Sequence, residues 1–260
     1  MIPYWHIASR TPNSNSELLL EYVTMTDTYP SVKPRICLVI PALNEAPAIG
    51  KVLDEVPREL VDEITVVDNG STDETSNVAT AHGAKVIFEP RKGYGSACLA
   101  GIRSLQETEP EIVVFMDGDY SSEPKEIDKI IKPILKDNAD MVIGCRESSR
   151  MEKGSMPFHA KCGNRLAMIL IRLLHGRSFL DPGPFRAISW RNLESLNMKD
   201  QRYGWNVEMM IKAVKMNLRI VEVEVSYRKR IGKSKISGSL VSSIKAGYHI
   251  ISKIIRYSID

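Results

Sequence analysis

The sequence predicts an α/β fold, a mainly parallel sheet with helices on both faces. Two observations lead there. From Arg35 to Gly144, short apolar runs of strand length alternate with stretches of helical length, the pattern of βαβ units. Polar residues Asn44, Asp68, Asp117 and Arg146 each follow the end of one of these runs. Ligands on such sheets bind beyond the carboxyl ends of the strands, so the four residues can share one crevice.

Residues 1–34 are polar and irregular and read as an N-terminal extension, with a short helix over Ser16–Val23. The first strand is Ile36–Ile40, closed by Pro41-Ala-Leu-Asn-Glu45, and a helix follows to about Val56. Glu63–Val67 is the second strand. Asp68-Asn-Gly-Ser-Thr-Asp73 then turns into a helix ending at His82, with Ser71 or Thr72 placed to cap it. Ala84–Phe88 is the third strand, Gly95–Glu107 a helix, Ile112–Met116 the fourth strand, Pro124–Asp137 a helix and Met141–Gly144 the fifth strand. Cys162–Leu174 carries Leu166, Ile169, Leu170, Leu173 and Leu174 at helical spacing, a stripe expected to face the core, and stops at His175-Gly176. Asp181–Arg186 is a rigid loop leading into a short strand. A helix runs from Tyr203-Gly-Trp205 to about Met216, and Ile220–Tyr227 alternates as a strand with one polar face.

Composition narrows the class. With 43% hydrophobic and 26% charged residues, the 260-residue chain suits a globular protein with a sizeable core. A net charge of +3 is too small to imply nucleic acid. From Ser226 onward there are eight Lys or Arg against Asp260 alone, so the basic character is local. The four cysteines are widely spaced and read as free thiols in a reducing, cytoplasmic compartment. No run approaches the ~20 apolar residues of a membrane span, and no secretory signal is expected at the start. The five histidines show no ligand spacing.

The chemistry centres on Asp117-Gly118-Asp119 after the apolar run Ile112–Met116. Residues i and i+2 of a strand point to one side, so the two carboxylates can converge, and the glycine admits a close approach. Two hard oxygen ligands there suit Mg²⁺ or Mn²⁺ bound to a diphosphate, with phosphate and water oxygens completing the shell.

These motifs, in their order and spacing, resemble the family 2 inverting glycosyltransferases of the GT-A fold. The nearest branch is that of the dolichyl-phosphate-mannose and -glucose synthases. The resemblance covers roughly Arg35–Ser239 and rests on the motifs at 41–45, 68–73 and 117–119, together with Arg91-Lys-Gly-Tyr-Gly95, Gly144-Cys-Arg146, Gly183-Pro-Phe-Arg186 and Arg230-Ile-Gly-Lys-Ser-Lys235. It implies that Pro41, Asn44, Glu45 and Asp68 line the nucleotide pocket, with Lys92, Gly93 and Gly118 beside it. Asp117 and Asp119 would hold the metal and the diphosphate of a nucleotide sugar such as UDP-glucose or GDP-mannose. Arg146 and the loop Gly183, Pro184, Phe185 and Arg186 would face the acceptor, with Trp205 nearby and Glu208 as a general base for a hydroxyl acceptor. The basic stretch with Arg228, Arg230, Lys233 and Lys235 suits phosphate and favours a polyprenyl-phosphate acceptor.

The last stretch, residues 240–260, reads as a basic amphipathic helix fitted to an anionic membrane surface, to the domain itself or to a second subunit. Three rival readings stand beside the first. One is a soluble hydroxyl acceptor with Glu208 as base, another a non-catalytic nucleotide-binding scaffold. The third, a sugar-1-phosphate nucleotidyltransferase, lacks its Gly-rich loop where Pro41–Glu45 stands.

Overall fold

The computed structural model describes residues 33–232 and 240–259. The helix expected at Ser16–Val23, and Lys233 and Lys235 of the basic stretch, lie outside the described residues. Seven strands form one sheet: β1 (Ile36–Ala42), β2 (Glu63–Asp68), β3 (Lys85–Phe88), β4 (Ile112–Phe115), β5 (Met141–Met151), β6 (Arg186–Ser189) and β7 (Ile220–Tyr227). Their order is β3-β2-β1-β4-β6-β5-β7. Among these strands β6 alone runs antiparallel to its neighbours, β4 and β5. The fold class is the expected one.

The chain works outward from β1 to β3 and then returns to place β4 on the other side of β1. That reversal opens a crevice between the carboxyl ends of β1 and β4, the place where ligands of open α/β sheets bind. Pro41 fits this geometry. Val39 O accepts from Met116 N, and two residues on, the side of Pro41 that lacks an N–H faces the same way, past the end of β4 at Phe115.

Strand alternation divides the core into two layers. Leu38, Ile40, Val66 and Val114 face helices α1 (Ala46–Asp54) and α4 (Ile127–Leu135), while α2 (Thr75–Ala81) packs beside α1. Cys37, Val39, Val113 and Phe115 face α3 (Tyr94–Ser104), α5 (Phe158–His175), α6 (Trp190–Leu196) and α7 (Trp205–Lys215). Cys37, Cys98 and Cys145 are buried and Cys162 is exposed, all four as free thiols.

Three local expectations are corrected. The second helix starts at Thr75 and neither Ser71 nor Thr72 caps it; they are instead engaged in the loops described below. The fifth strand runs on to Met151, because β7 continues to pair with it, so Arg146 lies within a strand rather than after one. Third, the stripe on α5 does not face the core. Ala167, Met168 and Ile171 are buried, whereas Leu166 (46%), Ile169 (45%), Leu173 (73%) and Leu174 (49%) are exposed, as is Phe158 (81%). Leu170 is partly covered. Residues 166–171 are apolar without a break, so the helix has two apolar faces, and the one with the smaller Ala167 is the one packed. The helix stops where expected, at Gly176 in the left-handed conformation.

The C-terminal helix α8 (Leu240–Ile259) packs on its own domain. Ile254 is fully buried, and Ile250 and Tyr257 lie against the same layer as α5 and α7. Lys253 Nζ reaches Asp200 Oδ2 at 3.1 Å. No helix of the described residues is long and apolar enough to cross a membrane.

Candidate active site

The loops after β1 and β2 are stitched together. Asn44, in the left-handed region at φ 52°, receives the Thr72 N–H on Oδ1 at 2.7 Å and donates its own N–H to Ser71 Oγ at 2.9 Å. Glu45 N donates to Thr75 Oγ1 at 2.8 Å. Asp68 accepts from Ser71 N at 2.8 Å and from the Ser76 hydroxyl. Burial pulls its pKa upward, but the hydroxyls of Ser71 and Ser76 and the N–H groups of Ser71 and Gly70 outweigh that and hold it below the usual carboxylate range. Asp68 therefore stays ionised at this corner. The pocket residues inferred from the sequence here do converge.

Asn69 escaped notice in the sequence, where it read only as a turn residue. Its amide donates to Glu89 O (3.0 Å) and Arg91 O (2.8 Å) and its carbonyl accepts from Gly93 N (2.7 Å), pinning the loop that carries Lys92. Lys92 is exposed at the rim. Gly93 has φ 149°, and a Cβ there would meet Gln201 O at 2.1 Å, so only glycine lets this loop pass the 200–202 backbone.

Asp117 and Asp119 lie on the floor of the crevice, just past β4, on either side of the buried Gly118. Asp119 is buried; its Oδ1 accepts from Ser121 N at 3.0 Å and its Oδ2 faces Arg230 Nη1 at 2.9 Å. Asp117 Oδ1 is buried with no hydrogen-bond partner among the described residues. Burial, and next the charge of Asp119, push the Asp117 pKa up to about 6. An orphaned buried carboxylate oxygen beside a second carboxylate fits a divalent cation. Among the described residues no group of three or more His, Cys, Asp or Glu is set to hold a metal. A cation here would thus take the rest of its shell from a diphosphate and water.

The cations expected to meet phosphate are mostly committed elsewhere. Arg146 forms a two-pronged pair with Asp181 (2.6 and 2.8 Å) and lies over the Tyr227 ring. Arg228 is clamped between Glu55 and Glu123 and stacks on Tyr120. Arg186 is wholly buried and donates to the carbonyls of Gly183, Pro182 and Asn206. Desolvation lowers its pKa to about 10. It shapes the 182–185 loop from inside. In that loop Gly183 lies so close to β5 that a Cβ would meet Gly144 O at 2.0 Å, and Pro184 and Phe185 are buried. Trp205 is buried edge-on to Phe115 with ring centroids 6.0 Å apart. Arg230 alone of the described basic-stretch cations reaches the carboxylate floor.

Glu208 is corrected as well. It is fully buried, accepting from Lys199 N (2.9 Å) and Asp200 N (2.7 Å) and pairing with Lys212 (2.7 Å). Its oxygens hold the turn whose carbonyls at Gln201 and Arg202 receive Ser96 N and Gly95 N at the start of α3. With both oxygens engaged in this arrangement, Glu208 suits a positioning role better than that of a base. Glu208→Gln is expected to cost about 1.5–3 kcal/mol in urea unfolding, while lowering turnover less than tenfold; a base would lose far more.

Beside the floor, Arg146, Lys161, Arg165, Arg172 and Asp181 line a cleft whose walls include Met168, Ile169, Phe179 and Leu180. Arg146, on the border of this cleft, is near enough to Asp117 for its charge to pull that carboxyl's pKa downward.

Fold and crevice suit the GT-A glycosyltransferase class that the sequence motifs resemble. The chain belongs to glycosyl transferase family 2, whose family model matches residues 37–193. It is 38% identical over 213 residues, 81% of this chain and 94% of the relative, to an uncharacterized glycosyltransferase of Mycobacterium tuberculosis. It is 28% identical over 222 residues (80% and 89%) to the undecaprenyl-phosphate mannosyltransferase of Micrococcus luteus. Among solved structures, glucosyl-3-phosphoglycerate synthase from Mycobacterium tuberculosis with Mn²⁺, UDP-glucose and phosphoglyceric acid has a TM-score of 0.73 at 25% identity, covering 98% of this chain and 86% of that one.

Proposed function

We propose that this glycosyltransferase moves a hexose from a nucleoside-diphosphate sugar to the phosphate of a polyprenyl phosphate, with inversion at the anomeric carbon. The observation that carries this reading is the cleft beside the carboxylate floor. It joins four cations, one already paired with Asp181, to an apolar wall. A phosphate on an isoprenoid chain has both characters. A phosphate monoester, with a second pKa near ~6, is largely its own nucleophile at neutral pH. It therefore needs no carboxylate base, in keeping with the burial of Glu208. The undecaprenyl-phosphate mannosyltransferase of Micrococcus luteus supports the same acceptor class.

The Asn44–Asp68 corner and the Lys92 loop would receive the nucleotide. Asp119 and Asp117 would hold Mg²⁺ or Mn²⁺, which as a Lewis acid neutralises charge on the departing diphosphate. Ionised Asp68 orders its own loop, and Asn69 fixes the rim.

A second reading, a soluble anionic acceptor, draws on the likeness to the synthase crystallised with phosphoglyceric acid. The same cations suit such an acceptor. The test starts with thermal stability against UDP- and GDP-sugars, each with and without Mn²⁺. A ligand at a hundredfold excess over its dissociation constant adds about 2.7 kcal/mol of apparent stability. With the donor known, transfer to a short-chain polyprenyl phosphate is compared with transfer to phosphoglycerate. Product with the first alone is expected. Product with phosphoglycerate alone replaces the first reading with the second, and absence of any donor shift removes both.

A further inference from the structure

The exposed side of α5 carries a run of apolar residues that the candidate active site leaves unexplained. Phe158, Leu166, Ile169 and Leu173 follow one another at spacings that keep them on one side of the helix, and all are exposed. Leu180, just beyond the helix, is exposed too. An apolar stripe of this length outside the core marks an interaction surface. Lys161, Arg165 and Arg172 form a second row immediately beside it. All three are exposed, and none pairs with a carboxylate among the described residues. The helix contains no Asp or Glu. The cation row also forms one border of the cleft beside the carboxylate floor.

We propose that this side of α5 docks on an anionic bilayer. The apolar stripe enters the boundary between headgroups and acyl chains, and Lys161, Arg165 and Arg172 meet lipid phosphates. An apolar face flanked by unpaired cations is what holds an interfacial helix on such a surface. The charge row argues for lipid over a second copy of the chain. Two copies packed antiparallel through this stripe about a two-fold axis would bring both cation rows onto the same flank, where they repel. Docking in this way turns the cleft toward the membrane surface. α8 packs one face on the domain through Ile250, Ile254 and Tyr257 and leaves Tyr248 and Ile255 exposed, while α5 carries the longer exposed apolar stripe with a cation row beside it. The proposal shares Lys161, Arg165 and Arg172 with the acceptor reading, and ordinary lipid headgroups test it apart from that reading.

The test is flotation of the full chain with vesicles of phosphatidylcholine alone and of equal parts phosphatidylcholine and phosphatidylglycerol. Wild-type protein should float with the anionic vesicles and hardly with the neutral ones. Leu166→Glu/Leu173→Glu and Lys161→Gln/Arg165→Gln/Arg172→Gln should each reduce the bound fraction roughly tenfold. All five positions are exposed, so melting temperature and UDP–Mn²⁺ binding should match wild type and report that the fold and donor site persist. Wild-type protein that stays off anionic vesicles, or variants that float as well as it does, would overturn the proposal. A wild-type dimer that the leucine variants dissociate, without vesicle binding, would assign the face to a second copy and overturn it equally. Failure of wild-type protein to bind either UDP–Mn²⁺ or GDP–Mn²⁺ would count against the donor site and leave the vesicle result standing.

Discussion

Asp119→Asn is expected to lower sugar transfer by about three orders of magnitude while the chain stays folded. Asparagine keeps an acceptor for the Ser121 N–H but removes the charge that faces Arg230 and that would bind a divalent cation. The measurement is transfer of labelled sugar across a Mn²⁺ titration, with melting temperature as the control for folding. Turnover above a tenth of wild type would remove the carboxylate pair from the chemistry. The partner residue adds a pH signature. Asp117 sits at about 6, raised first by burial and then by the charge of Asp119. Below that pH it holds a proton that must leave before it can ligate a metal. The affinity for Mn²⁺-nucleotide should therefore fall by about tenfold per pH unit below 6 and level off above it.

The largest effect on stability is expected from Arg146→Met. Asp181 is buried and Arg146 nearly so, and their two-pronged pair joins β5 to the loop before β6. Removing the guanidinium leaves a buried carboxylate with only a long contact to Asn164 Nδ2 and the backbone N–H of residue 146. Breaking such a pair from one side costs about 3–5 kcal/mol. Urea unfolding should show this loss, and Arg146→Met/Asp181→Leu should recover most of it, since the double variant leaves no stranded charge. A single variant within about 1 kcal/mol of wild type would mean that the pair is solvated in solution.

The two cases show what a sequence carries and what it does not. Asp117-Gly118-Asp119 was legible because its signal is local. An unbroken apolar run stops at two carboxylates, and strand geometry alone puts them on one side. The alternation of strands and helices gave the sheet in the same way, and with it the crevice. The cations were not legible. Arg146 answers to a carboxylate 35 residues away, and Arg228 to one 173 residues away. No spacing near either arginine distinguishes a structural clamp from a phosphate ligand. The surroundings of Glu208 were only partly legible: Lys212 lies four residues on, but the backbone N–H groups of Lys199 and Asp200 leave no trace in residue type. On α5 the helix itself was correctly read, but with Leu166–Ile171 apolar throughout, periodicity could not choose the buried face.

Asp200 has a consequence that reaches beyond its own turn. Its carboxylate accepts from the N–H groups of Arg202 and Gly204 and pairs with Lys253 of α8. The neighbouring carbonyls of Gln201 and Arg202 hold the first N–H groups of α3, directly after the Lys92–Gly93 loop. The C-terminal helix and the Lys92–Gly93 loop are therefore linked by one carboxylate and two main-chain bonds. If nucleotide binds at that loop and the link couples the two, reciprocity requires that a load peeling α8 from the domain weaken nucleotide affinity by the same factor as nucleotide strengthens the seating of α8.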